Sequence, residues 1–258
     1  MDKKYELTDE TIKIAGLILH RIKALNDFSD VHKGDLGGYI ESEDNLSSKG
    51  NCWIYDDGCV YGNGRVWDNG RVYENGWVCD NGHVFENGYV CGMGQVSDNG
   101  CISGNGCVSG DGWVSGNGYV FGNGHVSGNG HVSDNGCVSG NGWVFDNGCV
   151  TGNGRVYDRG WVYGNGYVCG DGQVFGNAKI TGDGLVKSDE DYAVIQGLGT
   201  EQRTTIFFRC SDGLVRTQCG CFYGTIDEFR EQVKNTRDGK VAEEYLVIAG
   251  LMEKHFSK

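Results

Sequence analysis

A branched aliphatic residue, Val or Ile, recurs at every sixth position from Ile54 to Val186, 23 times, without insertion or deletion. A fixed short period of this kind marks a solenoid, in which each unit is one piece of supersecondary structure and neighbouring units supply each other's core. The hexad Val108-Ser109-Gly110-Asp111-Gly112-Trp113 is typical. If Val lies in the middle of an extended segment, its two chain neighbours point to the opposite side, because side chains alternate along a strand. The next two slots hold Gly, Asp or Glu and then Asn, as in Gly104-Asn105 and Asp134-Asn135, followed by Gly everywhere except Ala178. Asn and Gly adopt positive φ most cheaply, so the chain turns a corner there. Four extended residues and a two-residue corner predict a triangular coil of three hexads, a parallel β-helix. Twenty-three hexads then make seven to eight coils, roughly 35 Å long at the strand spacing. Residue i lies over i+18, which puts Asn63, Asn81, Asn99, Asn117 and Asn135 in one column able to share amide hydrogen bonds.

Two other arrangements are weaker. Asn-Gly pairs also signal hairpins, but more than twenty four-residue strands in one open meander exceed ordinary sheet sizes. Gly-rich low complexity also occurs in disordered chains, against which the strict inward Val argues.

Composition removes several function classes. A net charge of −13 disfavours nucleic acid as a partner, since phosphate neutralisation needs clustered Lys and Arg. No apolar run approaches bilayer length, and Met1-Asp2-Lys3-Lys4 opens onto polar residues without a signal-peptide core, so a cytoplasmic protein is expected, with no membrane partner. The chain has no Pro, as suits a rod whose backbone N–H groups are all used by adjacent coils. Of the 12 Cys, those in the rod (Cys59, Cys79, Cys91, Cys101, Cys107, Cys137, Cys149 and Cys169) occupy outward slots, with no pair stacked eighteen apart or flanking on one strand. Free thiols in a reducing compartment follow. Cys219-Gly220-Cys221 matches neither a zinc knuckle nor a redox CxxC. His125 and His131 fall on different faces and His83 stacks beneath Cys101 without a third ligand, so no metal is expected.

The chain divides into a leader (1–50), the hexad rod (51–188) and a C-terminal unit (189–258). The leader predicts two strands, around the apolar run Ile14-Ala15-Gly16-Leu17-Ile18-Leu19, then a Gly-rich turn at residues 34–38, covering the open end of the first coil. The C-terminal unit predicts strands at Ala193-Val194-Ile195 and 204–209, a turn at Ser211-Asp212-Gly213 and one strand over 214–222. Thr225-Ile226-Asp227-Glu228 is a capping box opening a helix to about Thr236. A second helix runs from about Val241 to Phe256, with Tyr245, Ile248, Ala249, Met252 and Phe256 on one face. The fold class is mainly β with a small α+β appendix.

The stretch Asp27-Phe28-Ser29-Asp30-Val31-His32-Lys33-Gly34, with Gly37-Gly38-Tyr39-Ile40 and Gly50-Asn51-Cys52-Trp53-Ile54-Tyr55-Asp56, resembles the N-terminal part of YdcK-like bacterial and phage proteins. That family consists of hexapeptide-repeat β-helices described as acyltransferase-like. The resemblance implies left-handed coils, against the usual crossover rule. It also raises an acyl-CoA-dependent activity, with acetyl-CoA or another acyl-CoA as cofactor, a trimer, and a catalytic His beside a loop extruded from the coil. It places no catalytic residue on any position of this chain. Relatives carry Ala or another small residue where this chain has Gly58, Gly64 and Gly70, and Gly costs roughly 0.5–1 kcal/mol more backbone entropy. Either the slot has no room for a Cβ, or this rod is looser. Gly112→Ala, Gly118→Ala and Gly124→Ala raise the melting temperature in the second case and lower it in the first.

The unbroken hexads leave no extruded loop from which to build a cleft, and His83, His125 and His131 show no partner in the sequence. The favoured reading is a non-catalytic scaffold or binding rod, without cofactor. Trp143 stacks under Trp161, and their strand neighbours are Phe145 and Tyr163. These four predict one aromatic patch for a protein partner, for self-association, or for packing of the C-terminal unit. Ser97, Ser103, Ser109, Ser115, Ser127, Ser133 and Ser139 read as plain solvated surface. The period excludes a nonapeptide calcium repeat, and the mixed side chains flanking the serines argue against ice binding. Acyl transfer is the alternative.

Overall fold

The computed structural model describes residues 3–199 and 202–257. Met1 and Asp2, at the head of the segment read for targeting, lie outside the described residues. Each hexad forms one two-residue strand consisting of the inward Val or Ile and the residue before it, from Trp53–Ile54 to Leu185–Val186. These strands fall into three parallel sheets, one for each side of a triangular rod. Register is eighteen throughout, as in Cys107 between Tyr89 and His125, and Val108 between Val90 and Val126. The repeating aliphatic residues are at most 1% exposed. With one such side chain per side, every coil closes its core only against the coils next to it.

The corner lies where the hexad pattern puts it, but its positive φ belongs to the first corner residue, as in Glu86 (+53°), Gly104 (+58°) and Asp134 (+52°). Among the described residues no Asn has positive φ. The acidic side chains at this slot reach along the rod. Glu86 accepts from Gly104 N–H at 2.6 Å, and Asp134 from Gly152 N–H at 3.2 Å. The following Asn is thereby free to stack. Nδ2 of Asn63, Asn81, Asn99 and Asn117 donates to Oδ1 of the Asn one coil later at 3.1 Å each time, and Asn153 ends that column on Asp171 at 2.9 Å.

The Gly that follows the corner has no room for a Cβ. At Gly124 a Cβ would stand 2.6 Å from Val138 O, and at Gly118 2.8 Å from Val132 O, both fourteen residues on in the next coil. Of the two alternatives raised by the sequence, the tight slot is the one realised. Ala178 explains itself by the same rule, because position 192, fourteen further on, already belongs to the C-terminal sheet and no coil lies above.

The N-terminal cap holds three strands rather than two: β1 (Tyr5–Ile14), β2 (Leu17–Ala24) and β3 (Leu36–Ile40). β1, β2 and β3 pair antiparallel, and β3 joins the rod parallel, with Tyr39 beside Cys59 and Ile40 beside Val60. Gly37 and Gly38, expected in a turn, lie in β3, where a Cβ on Gly37 would meet Ile54 O at 2.6 Å. Ile40 and Leu46 are two further rungs of the rod, since Leu46 bridges Val66. Both sit twenty residues before their partners instead of eighteen, because the corner at residues 48–51 holds two extra residues.

The C-terminal unit forms an antiparallel sheet of β4 (Tyr192–Leu198), β5 (Arg203–Arg209), β6 (Val215–Cys219) and β7 (Phe222–Thr225). The single strand expected over 214–222 is thus two, separated by a turn with Gly220 at φ +61°. Alternation along β5 sends Ile206 and Phe208 into the rod's core and Phe207 to the other side. There it meets α1 (Ile226–Thr236) and α2 (Gly239–Phe256). The capping box is present, with Thr225 Oγ1 accepting from Glu228 N–H at 3.2 Å and Thr225 N–H donating to Glu228 Oε2 at 2.7 Å. Tyr245, Ala249, Met252 and Phe256 of α2 are buried, and Ile248 packs at their edge. No helix among the described residues is long and apolar enough to cross a membrane.

Candidate functional site

One face of the prism concentrates ring systems and titratable groups. Its first column runs Trp53, Arg71, Tyr89, Cys107, His125, Trp143, Trp161, Lys179, each eighteen residues after the last. The slot after Val supplies a second column beside it, from Tyr55 through Cys91 and Ser109 to Phe145 and Tyr163.

The structure brings the four predicted aromatics together. Trp143 stacks on Trp161 at 5.9 Å, and Phe145 on Tyr163 at 4.9 Å with an interplanar angle of 2°. Phe145 meets the edge of Trp161 at 5.9 Å. Stacked rings occur on other faces too, as in Trp67 on Phe85. Among the described residues, only here do both columns hold Trp, Tyr or Phe in two successive coils of the rod. His125 stacks on the near side of Trp143 at 4.8 Å, and the Lys179 ammonium lies over Trp161 at 4.2 Å. The C-terminal unit touches the cluster at Tyr163, whose hydroxyl accepts from Gln218 Nε2 at 2.8 Å. Trp143 is left 41% exposed. Both indoles are covered on both faces, Trp143 by His125 and Trp161, and Trp161 by Trp143 and the Lys179 ammonium, which leaves their edges to face outward.

A second group on the same face was not foreseen. Cys107 Sγ lies 3.7 Å from His125 Nε2, which also lies 3.1 Å from Ser109 Oγ. Cys91, two residues past Tyr89, is diagonal to Cys107. The Cys91 thiol, with His125 and Tyr89, draws the Cys107 thiol down against burial. The Cys107 thiol, together with burial, pushes Cys91 upward. Cysteines counted only directly above or beside one another leave out this diagonal neighbour, sixteen residues apart. His125, read as having no partner, has two.

The serines are not plain surface. Ser97, Ser103 and Ser115 are buried, and Ser109, Ser127, Ser133 and Ser139 half-buried. Large rings lean back over the preceding coil and reach the Ser sixteen residues earlier. Trp113 Nε1 donates to Ser97 Oγ at 2.9 Å, Tyr119 shares a hydrogen bond with Ser103 at 2.7 Å, and His131 Nε2 lies 3.3 Å from Ser115 Oγ. Burial lowers the His83 and His131 pKa values. His83 Nδ1 is buried without a hydrogen-bond partner, its ring against Trp67 at 5.0 Å.

Toward the N-terminal end of the face, Arg71, Tyr73, Tyr89, Asn51, Asn69 and Asn87 line a shallow cleft of about 490 Å³. Among the described residues no group of three or more His, Cys, Asp or Glu is placed to hold a metal ion. All 12 cysteines are free, Cys219 buried and Cys221 exposed.

A rod of unbroken hexads with stacked Asn corners fits a hexapeptide-repeat β-solenoid. No family model matches the chain. A stretch of 66 residues is 36% identical to the Escherichia coli (strain K12) protein named uncharacterized acetyltransferase YdcK, covering 22% of this chain and 20% of that protein. The match thus spans about a fifth of the relative's own length.

Proposed function

We propose that this protein is a β-solenoid binding rod that presents the edges of its aromatic cluster to a protein partner and performs no chemistry of its own. The observation that carries the reading is the group of Trp143, Phe145, Trp161 and Tyr163, packed against one another yet leaving Trp143 41% exposed. Aromatic anchors of this kind dominate the energetics of protein interfaces. Indole faces already occupied above and below offer nothing to a sugar or base that must stack face-on, whereas the edges fit an apolar groove on another protein. The uninterrupted hexads support the same reading, since no loop leaves the coil to enclose a substrate. Twelve unbridged cysteines suit a cytoplasmic setting.

The test compares two double variants. Trp143→Ser with Phe145→Ser removes the cluster, and Trp77→Ser with Trp113→Ser removes exposed rings from another face. Proteins retained from host extract, and solution mass by light scattering, are measured for both and for the parent chain. Loss confined to the first pair, by about thirtyfold in affinity, is expected for an anchor worth about 2 kcal/mol. Equal retention by both sinks the reading.

Acyl-CoA-dependent acyl transfer is the second reading, favoured by the name of the E. coli relative. It requires acetyl-CoA or another acyl-CoA to bind, and a trimer. A rise in melting temperature with acetyl-CoA, together with a trimeric mass, would replace the binding rod by an enzyme.

A further inference from the structure

Phe175 ends a column of outward residues on a side of the triangle other than that of Trp143, since the strands Gln173–Val174 and Trp143–Val144 belong to different sheets. Its ring stacks on Tyr157 of the preceding coil at 5.1 Å, with an interplanar angle of 11°, and is 42% exposed. No coil follows to cover the other face. Among the described residues of the rod, Gly176 alone of the glycines has open space where a Cβ would stand. In place of a further coil, β4 passes over this corner and lines it with Tyr192, Val194 and Gln196, alternate residues on one side of the strand. The Tyr192 ring meets Phe175 at 6.3 Å and 83°. The cavity left between them is about 510 Å³, with Asn177 and Asp189 completing its lining.

We propose that this cavity binds a small quaternary ammonium compound of the choline type. Asp189 is the one charged side chain in its lining among the described residues, and it is exposed. Arg159, one coil before Asn177, lies outside the lining. A carboxylate beside an open ring face, with no cation sharing the space, attracts a positive ligand and repels phosphates and carboxylates. A primary ammonium carries three hydrogen-bond donors to satisfy. Methyl groups on nitrogen instead meet Phe175, Tyr192 and Val194 without losing a hydrogen bond, while the cation faces the ring quadrupole. The amides of Asn177 and Gln196 supply a donor and an acceptor for a hydroxyl at the other end of the ligand. The volume falls in the range of small-ligand sites. The site shares no residue with the cluster of Trp143, Phe145, Trp161 and Tyr163, so it stands whether or not a protein docks there.

Choline is titrated into the full-length protein and followed by calorimetry and by saturation-transfer NMR. Dimethylbutanol, the neutral carbon isostere of choline, has the same shape without the charge and should bind about tenfold more weakly. Phe175→Leu removes the ring and Asp189→Asn the charge, each weakening choline by about five- to tenfold. Phe121→Leu, three coils earlier in the same column, leaves the affinity unchanged, and melting temperatures of all three variants report an intact rod. Phosphatidylcholine vesicles sedimented with the protein separate the two sources of the headgroup chemistry. Retention that choline releases places the ligand on a lipid, and choline binding without retention places it in solution; both support the site. Absence of choline binding, equal binding of the neutral isostere, or affinity unchanged in both Phe175→Leu and Asp189→Asn overturns the proposal.

Discussion

The middle of the rod and its two ends solve the same problem with opposite means. In the middle, every rung is Val or Ile, fully buried between identical rungs, and no single residue is special. At the N-terminal end, Trp53 occupies a slot that faces outward elsewhere, yet it is 1% exposed because Tyr5 and Phe28 fold over it at 6.3 and 5.4 Å. Lys4 turns inward beneath the Phe28 ring and donates to Cys52 O at 2.7 Å and Gly50 O at 3.3 Å, carbonyls that no coil precedes. At the other end Ile206 and Phe208 enter the core where the next Val would be. Matching 3₁₀ turns bracket the rod. Asn45 Oδ1 accepts from Ser42 N–H at 2.8 Å, and Asp191 Oδ2 from Ser188 N–H at 2.9 Å. Repetition builds a solenoid but cannot end one, since a bare last coil exposes apolar core and unpaired backbone. The chain abandons its repeat where the stack stops.

The sharpest way to break this contrast is at the ends. Trp53→Ala should cost about 3–5 kcal/mol, the range for a fully buried aromatic, and should admit solvent to the first rungs. Thermal melting and hydrogen exchange read both effects. A loss no larger than that of Val126→Ala would mean the cap is dispensable. Next in size is Gly124→Ala inside the rod, expected to cost about 1–3 kcal/mol, since its Cβ would meet a main-chain carbonyl at 2.6 Å. The converse change in the final coil, Ala178→Gly, has no clash to relieve and should cost about 0.5–1 kcal/mol in backbone entropy. If Gly124→Ala instead raises the melting temperature, the coils are farther apart than the geometry requires.

The same contrast explains what the sequence disclosed. Wherever the period of six holds, it disclosed the inward Val, the corner, the Asn column and the four aromatics, because position i+18 is a fixed spatial neighbour. Ile40 and Leu46 were hidden because two extra residues before Ile54 shift the register. The burial of Ser97, Ser103 and Ser115 was hidden because a ring's lean over the previous coil is a rotamer property that slot counting does not contain. Cys107 and His125, one coil of eighteen residues apart, were legible in principle. Their neighbour Cys91 required diagonal distances to be counted. In the C-terminal unit the capping box announced α1, while the break between β6 and β7 rests on a positive φ at Gly220, where no repeat marks the corner.

The smallest expected effect probes the direction of the Asn column. Each amide donates Nδ2–H to the next coil and accepts from the previous one, so a residue in mid-column must do both. Asn117→Asp keeps the acceptor for Asn99 but places a carboxylate oxygen against Asn135 Oδ1, and should cost about 1 kcal/mol, in the usual range for one lost hydrogen bond. Asp171 stands at the end of this column, accepting from Asn153 with no further Asn to serve, so a carboxylate suffices there. Asp171→Asn should therefore change stability by less than about 0.5 kcal/mol, as surface substitutions do. Measured in parallel by thermal melting, an equal response at the two positions would show that the column is solvated amides without direction, and that Asp171 marks no end.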